Sequence, residues 1–218
     1  MNIFDPSDPH HNQPVLFTGA KPEEAIGAVI MMHGRGATAE SILSISDELP
    51  HKGKLALAGP QAFGNSWYPN SFISPRESNE PYLSSALNFL GDIIGTLLLR
   101  GIKSEKMVLL GFSQGACLVS EYAAINARKY GGIISLSGGI IGNKIDNSSY
   151  TGNFEGTPVF IGCSDIDPHI PLNRINETED IFENHGAKIT KKIYPNMGHT
   201  INRDELKYAS MIIQRLFL

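Results

Sequence analysis

The chain has 218 residues, a formal net charge of -4 at pH 7 and a sequence pI near 6.0. Hydrophobic residues make up 41% and charged residues 18%, values that are ordinary for a globular protein. The acidic balance and the absence of a Lys/Arg cluster argue against a nucleic-acid-binding face. The simplest organisation is one domain over residues 1–218.

The N-terminus carries no recognisable targeting signal. The first 13 residues are acidic and proline-rich, and we expect them to form a mobile N-terminal arm. They lack the apolar core of a signal peptide, and no apolar run approaches the roughly 18 residues of a membrane span. We therefore expect a cytoplasmic protein without a transmembrane segment. Cys117 and Cys163 give neither a disulfide framework nor metal-ligand spacing, so we expect two reduced, buried thiols.

Short apolar runs alternate with helical patterns, which predicts a mostly parallel α/β sheet with helices on both faces. The predicted strands are 27–34, 54–60, 106–112, 131–139, 157–163 and 187–195. The predicted helices are 38–50, 81–100, 114–127, 172–185 and a final helix with Leu206, Ala209, Ile213 and Leu216 on one face. Thr38 is an expected N-cap, Gly101 an expected C-terminal cap, and Asn202 with Glu205 resembles a capping box.

Two long irregular stretches, 60–80 and 138–156, interrupt this alternation. The first contains the single tryptophan, Trp67, together with three further aromatic residues that include Phe72. Two interpretations are open. The aromatic residues pin the loop to the protein, or Trp67 and Phe72 form an apolar wall of a substrate pocket.

Residues 111–115, GFSQG, match the pattern G-x-S-x-G. The match alone carries a real risk of being fortuitous, but here it lies where an apolar strand meets a helix. A strand that passes directly into a helix needs a tight turn with a strained, exposed residue at its tip. Gly111 and Gly115 remove the Cβ atoms that would collide there. Ser113 is therefore the candidate nucleophile.

A serine hydroxyl becomes nucleophilic when a neighbouring base takes its proton and an acid orients that base. In this topology the order along the chain is serine, acid, histidine, each in the loop after a later strand. The loop after strand 157–163 offers Asp165 and Asp167, and the loop after strand 187–195 offers His199. Order, loop position and element count thus all agree with a Ser-Asp-His triad.

The other histidines are interpreted as structural. His185 precedes a glycine at a helix end, where a cation suits the C-terminal dipole. His51 lies in a polar turn that we expect to be exposed, and His10 and His11 lie in the expected arm. His169 shares a loop with the candidate acid and is too close to it in sequence to act as the base.

The tetrahedral oxyanion of acyl transfer needs donors placed where charge develops. The Gln114 N–H, at a helix start, is one candidate, and the Arg35 N–H in the glycine-rich stretch 33–36, HGRG, is the second. Those glycines with Ala39 also resemble a dinucleotide fingerprint, but the next strand ends at Gly59 without the required acid. The Arg35 guanidinium is expected to be solvated, paired with an internal acid, or available to an anionic substrate group.

The segments HGRGAT, GFSQGA, DPHIP and GHT resemble the phospholipase/carboxylesterase family of α/β-hydrolases, which includes the acyl-protein thioesterases. The resemblance runs from about Pro14 to the C-terminus, and HGRG with NSWYPNSF is similar to a bacterial subgroup. It implies an α/β-hydrolase fold with little or no cap domain. It also implies Asp167 as the acid, because the family pattern is Asp-Pro followed by a hydrophobic-Pro pair. Arg35 departs from the eukaryotic thioesterases, which carry an apolar residue there.

The resemblance and the motifs together predict a serine hydrolase that cleaves small-molecule or lipid esters or thioesters through an acyl-serine intermediate. Ser113, Asp167 and His199 are the expected catalytic residues, and Arg35 and Gln114 the expected oxyanion donors. No metal, organic cofactor or nucleic acid is expected, and we expect a monomer or homodimer. The alternatives are an acyl-protein thioesterase or acyltransferase with the same triad, and a hydrolase-like binding protein without turnover.

Overall fold

In a computed structural model, which describes residues 5–50 and 52–218, seven strands form one sheet in the order β1-β3-β2-β4-β5-β6-β7. The strands are β1 Val15–Gly19, β2 Gly27–Met32, β3 Leu55–Pro60, β4 Met107–Phe112, β5 Gly132–Leu136, β6 Pro158–Ser164 and β7 Lys188–Tyr194. From β3 to β7 neighbouring strands are parallel, as predicted, and β7 forms one edge of the sheet. Strand β1, which the sequence pattern did not predict, pairs antiparallel with β3 at the other edge.

The helices are α1 Ala39–Leu43, α2 Tyr82–Leu99, α3 Gln114–Ile125, α4 Leu172–Asn184 and α5 Arg203–Gln214. The predicted helix 38–50 is shorter than expected, because α1 passes at Ser44 into a 3-10 helix that ends at Glu48. Ser44 Oγ donates to the Ser41 carbonyl oxygen at 2.8 Å, a local bond of the kind that makes serine a weak helix former.

The expected helix caps are confirmed. Thr38 accepts from the Ser41 N–H, and Asn202 and Glu205 form a reciprocal capping box at the start of α5. Gly101, just after α2, has φ +89, a conformation that glycine adopts without a Cβ clash. Each cap satisfies backbone groups that the helix itself leaves unpaired.

The core consists of two layers, one on each face of the sheet. Ala28, Ile30 and Met32 of β2 face α2, α3 and α4, whereas Val29 and Met31 face α1 and α5. This alternation follows from the two-residue repeat of a strand. Since β2 is buried along its whole length, its sequence is a continuous apolar run, as in other doubly covered parallel sheets.

Helix α2, with 18 residues and a mean hydropathy of 1.4, has the length and composition of a membrane span. The helix itself was predicted, but the expectation that no apolar run approaches this length was wrong. Its apolar side chains Leu83, Ala86, Leu90 and Ile94 are buried in the core beside the sheet. The hydrophobicity of α2 is therefore explained by core packing.

The sequence predicted a mobile N-terminal arm over residues 1–13. For the described residues 5–13 the structure corrects this prediction. His10 is fully buried, and its N–H donates to Ser85 Oγ at 2.8 Å. Its ring bonds the Trp67 carbonyl oxygen through Nε2 at 3.0 Å and accepts the Phe63 N–H at Nδ1. Burial lowers the pKa of His10, which favours the neutral ring. A polar, proline-rich composition did not reveal this docking. Residues 1–4 lie outside the described residues, as does His51.

The loop 138–156 is anchored by two charged side chains. Glu121 of α3 is buried, accepts the Ile141 N–H at 2.9 Å and pairs with Arg76. Burial raises the pKa of Glu121, and the nearby Arg76 opposes this shift. From α4, Arg174 donates to the carbonyl oxygens of Ile140 and Gly142, each at 2.7 Å. The loop is thereby tied to both α3 and α4.

Candidate active site

Ser113 occupies a sharp turn between β4 and α3. Its backbone has φ 54 and ψ -119, a combination that is unfavourable for a residue with a side chain. The Ser113 N–H donates to the Leu136 carbonyl oxygen at 2.9 Å, which holds the turn to β5. The strained strand-to-helix elbow predicted from GFSQG is therefore present.

The two flanking glycines are required by close backbone contacts. A Cβ at Gly111 would lie 2.4 Å from the Gly115 carbonyl oxygen, and one at Gly115 would lie 2.2 Å from the Met32 carbonyl oxygen. Neither neighbour is a side chain that could move aside. Helix α3 thus packs directly on the ends of β2 and β4, and this packing sets the position of Ser113.

His199 bridges Ser113 and Asp167. Its Nε2 lies 2.7 Å from Ser113 Oγ, and its Nδ1 lies 2.7 Å from Asp167 Oδ2. Because an ionised carboxylate only accepts, Nδ1 carries the proton and Nε2 is free to accept the serine hydroxyl. The three residues follow β4, β6 and β7 at the carboxyl edge of the sheet, where parallel α/β folds place their sites.

The two candidate acids occupy different environments. The Asp167 side chain is fully buried, and its Oδ1 accepts the N–H groups of His169 and Ile170 at 2.9 and 3.1 Å. Burial by itself raises the pKa of Asp167, but the hydrogen bonds from His199 and these amides outweigh it and lower the pKa overall. Asp165 is exposed and accepts the Asn196 N–H at 2.8 Å. Only Asp167 contacts His199.

The two predicted oxyanion donors lie beside Ser113. Gly34 packs closely enough that a Cβ there would be 3.4 Å from the Ser113 Cβ, which brings the following Arg35 amide to the elbow. Among the described residues, neither the Arg35 N–H nor the Gln114 N–H donates a hydrogen bond within the protein. Both amides remain available to a developing oxyanion.

The Gln114 side chain has a second role that the sequence analysis missed. Its Oε1 accepts the Trp67 N–H at 2.9 Å, and its Nε2 donates to the Tyr68 carbonyl oxygen at 2.8 Å. Gln114 is buried, so these bonds hold the loop 60–80 against the start of α3. The sequence feature that indicates this role is a long amide side chain at a helix start, next to a loop with no regular structure.

A cavity of about 550 Å³ opens at Ser113 and His199. Phe72 lines it, as predicted, together with Tyr68 and Ile170. Trp67 does not, which corrects the prediction of a pocket role. Its side chain is fully buried, and its Nε1 donates to the His33 carbonyl oxygen at 2.8 Å. For Trp67 the loop-pinning interpretation therefore holds, and the adjacent Tyr68 reaches the cavity instead.

The Arg35 side chain reaches along one wall of this cavity. Its two terminal nitrogens donate to the carbonyl oxygens of Pro69 at 2.7 Å and Asn70 at 2.6 Å. No carboxylate of residues 5–50 or 52–218 lies within ion-pairing distance of it. Within the described part of the chain, Arg35 therefore lacks the internal acidic partner that the sequence left open.

The remaining histidines and the two cysteines lie in different parts of the structure. His185 bonds the Ile181 and Tyr150 carbonyl oxygens at the end of α4, in agreement with its structural interpretation. The His169 ring lies edge-on to His199, with centroids 4.9 Å apart, and lines the cavity. Cys117 and Cys163 are free and buried, as expected, and burial raises the pKa of each thiol to about 12.

Comparison with known proteins agrees with this geometry. The profile of the phospholipase/carboxylesterase family matches residues 11–217. The chain belongs to this family. Within it, a solved phospholipase/carboxylesterase from Dyadobacter fermentans is 42% identical, with a TM-score of 0.91 over 94% of this chain and 97% of that one. A Bacillus cereus carboxylesterase, 15% identical with a TM-score of 0.74 over 95% and 96% of the two chains, shares the α/β-hydrolase fold.

Curated relatives of this phospholipase/carboxylesterase family member include acyl-protein thioesterase 1 from two yeasts. The Kluyveromyces lactis protein is 33% identical over 128 residues, which are 57% of this chain and 56% of that protein. The Saccharomyces cerevisiae protein is 29% identical over 134 residues, 60% and 59% of the two chains. The match thus spans little more than half the length of these relatives.

Proposed function

We propose that this protein is a serine hydrolase that cleaves carboxylic esters or thioesters through an acyl-serine intermediate on Ser113. The observation that carries the proposal is the hydrogen-bonded series Ser113–His199–Asp167, with both bonds at 2.7 Å, at the mouth of a cavity. Membership of the phospholipase/carboxylesterase family supports the same activity. The profile match over residues 11–217 also supports one hydrolase domain.

In the acylation step, Ser113 Oγ attacks the substrate carbonyl while His199 Nε2 takes the hydroxyl proton. The oxyanion receives hydrogen bonds from the N–H groups of Arg35 and Gln114. His199 then gives its proton to the departing alcohol or thiol as the carbon–oxygen or carbon–sulfur bond breaks. Asp167 holds the ring in the required tautomer and stabilises its cationic form.

In the deacylation step, water takes the place of the leaving group. His199 Nε2 accepts a proton from water as its oxygen bonds to the acyl carbon, and the same proton returns to Ser113 Oγ as the acyl–serine bond breaks. A free acid and the starting enzyme result. The cavity beside Ser113 gives both the acyl group and the attacking water access.

The test combines labelling with turnover. The protein is incubated with a fluorophosphonate probe, and the labelled residue is located by peptide mass spectrometry. Hydrolysis of p-nitrophenyl esters of increasing acyl length is measured beside acyl-thiocholines of the same lengths, which separates esterase from thioesterase preference. We expect labelling at Ser113 and loss of turnover by several orders of magnitude in Ser113→Ala.

Ser148→Ala, in an exposed turn outside the cavity, is the matched control and should behave as the unmodified protein. Undiminished hydrolysis by purified Ser113→Ala would overturn the assignment. Absence of both labelling and turnover across the whole series would favour the alternative of a hydrolase-like binding protein.

A further inference from the structure

Basic residues, and no Asp or Glu of the described residues, line the cavity. They are Arg35, His169 and His199, of which Arg35 alone is charged at every working pH. The chain as a whole carries a net charge of -4, so the positive charge of Arg35 is opposite in sign to the overall charge. A cleft with one sign of charge attracts ligands of the opposite sign.

Arg35 is the permanent cation of this set, and its position is restrained. Its two terminal nitrogens donate to neutral carbonyl oxygens, and its Cζ lies 6.0 Å from the centre of the Tyr68 ring. Neutral acceptors orient the guanidinium but do not neutralise it. A guanidinium has five N–H donors, and two are used here, which leaves enough for a two-point bond to a carboxylate.

Arg35 offers a substrate two contact points, its backbone N–H and its guanidinium. The Arg35 N–H is a proposed oxyanion donor, and the Arg35 side chain extends from that point along the cavity wall. A substrate whose carbonyl oxygen bonds the amide can therefore bring a second group to the guanidinium. The spacer between the two groups would be comparable in length to an arginine side chain.

We propose that this hydrolase prefers esters that carry a carboxylate, which Arg35 binds. This rests on the proposed ester hydrolysis. A charge-assisted bond contributes about 10- to 150-fold, and since Arg35 is exposed to solvent the lower end, about 10-fold in kcat/KM, is expected.

Matched ester pairs test the proposal. Monomethyl adipate is compared with methyl hexanoate, in which a methyl group replaces the acyl-side carboxylate. The acetate ester of 4-hydroxybutyrate is compared with butyl acetate, which does the same on the alcohol side. Acid release is followed in a pH-stat at low and high salt. We expect the protein to favour the anionic member of at least one pair by about 10-fold at low salt, and less at high salt.

Four variants locate the charge. Arg35→Gln should reduce the anionic-to-neutral ratio of kcat/KM towards unity, and Arg35→Lys, which keeps the charge but loses the fork, should give an intermediate ratio. Arg215→Gln is the control, because Arg215 is exposed and far from the cavity. Its neighbour Leu216 packs near Gly27, at the start of β2 and so at the opposite end of that strand from the cavity. A preference that survives Arg35→Gln but disappears in His169→Gln would overturn the role of Arg35.

A measurement on the unmodified protein removes the dependence on variant folding. Adipate should inhibit butyl acetate hydrolysis competitively, whereas neutral 1,6-hexanediol should be a much weaker inhibitor. Hydrolysis of neutral esters with no preference for anions and no inhibition by adipate would overturn the substrate class and leave the proposed activity standing. No turnover of any ester and no fluorophosphonate labelling would instead overturn the activity, and this proposal with it.

Discussion

His199 Nε2 lies 2.7 Å from Ser113 Oγ, although the two residues are 86 positions apart in the chain. The contact forms because β4 and β7 end at the same edge of the sheet, and Ser113 is held there in a strained backbone conformation. The geometry of this pair and of its neighbours leads to four predictions.

The strain at Ser113 should be measurable as lost stability. Replacement by glycine, which tolerates φ 54, should give a protein about 1 kcal/mol more stable than Ser113→Ala, after allowance for the greater entropy of unfolded glycine. Urea unfolding of the two inactive variants checks this. Since both lack the hydroxyl, lost chemistry cannot account for a difference. A glycine variant less stable than the alanine variant would contradict a strained elbow.

The two aspartates of the 165–167 turn should respond very differently to amidation. Asp167→Asn should reduce kcat by several orders of magnitude, because the amide can present an N–H to His199 Nδ1 and favour the wrong tautomer. Asp165→Asn keeps an acceptor for the Asn196 N–H and should retain most turnover. Steady-state kinetics on one p-nitrophenyl ester compares them. The reverse ranking would transfer the acid role to Asp165.

Buried Glu205 should make stability depend on pH. Burial, together with nearby Asp204, raises its pKa from 4.5 to about 7 against the opposing effect of a backbone hydrogen bond from Asn202. Between these values the folded state retains a proton that the unfolded state has lost, so the free energy of unfolding falls as pH rises and levels off above about 7. The shift corresponds to on the order of 3 kcal/mol.

Glu205→Gln keeps an acceptor for the capping bond but removes the titration. The variant should match the unmodified protein below about pH 4.5 and be more stable above about pH 7, as measured by urea unfolding across that range. Glu183→Gln, at an exposed position of α4, is the control and should leave the pH profile unchanged. Parallel profiles for Glu205→Gln and the unmodified protein would rule out this source of pH dependence.

The Gln114 side chain should be needed to hold the cavity loop. Gln114→Met keeps the size and the backbone N–H but leaves the Trp67 N–H and the Tyr68 carbonyl oxygen without this partner, which should destabilise the protein by about 2 kcal/mol. Because Tyr68 lines the cavity, kcat/KM should fall as well. Thermal unfolding and ester kinetics measure both effects, with exposed Gln214→Met as control. Unchanged stability would show that the loop is held by other contacts.

Much of the site could be predicted from the sequence, because its main features depend on local pattern and chain order. The glycines around Ser113 are needed because a Cβ at either position would lie only 2.2 to 2.4 Å from a backbone oxygen, so the motif carries its own geometry. His199 is the single histidine in the loop after the last strand, and the order of strands brings it to Ser113. Apolar runs and caps likewise placed most helices and strands.

Contacts between distant segments were decided only by the tertiary structure. Trp67 and Tyr68 are adjacent aromatic residues, yet the first is buried under His33 and the second lines the cavity. His10 is buried because Trp67 and Ser85 supply its hydrogen bonds, and β1 forms because β3 offers an open edge. Local patterns report which residues can be buried or paired. Which partner satisfies each polar group depends on surfaces that meet only after the sheet has assembled.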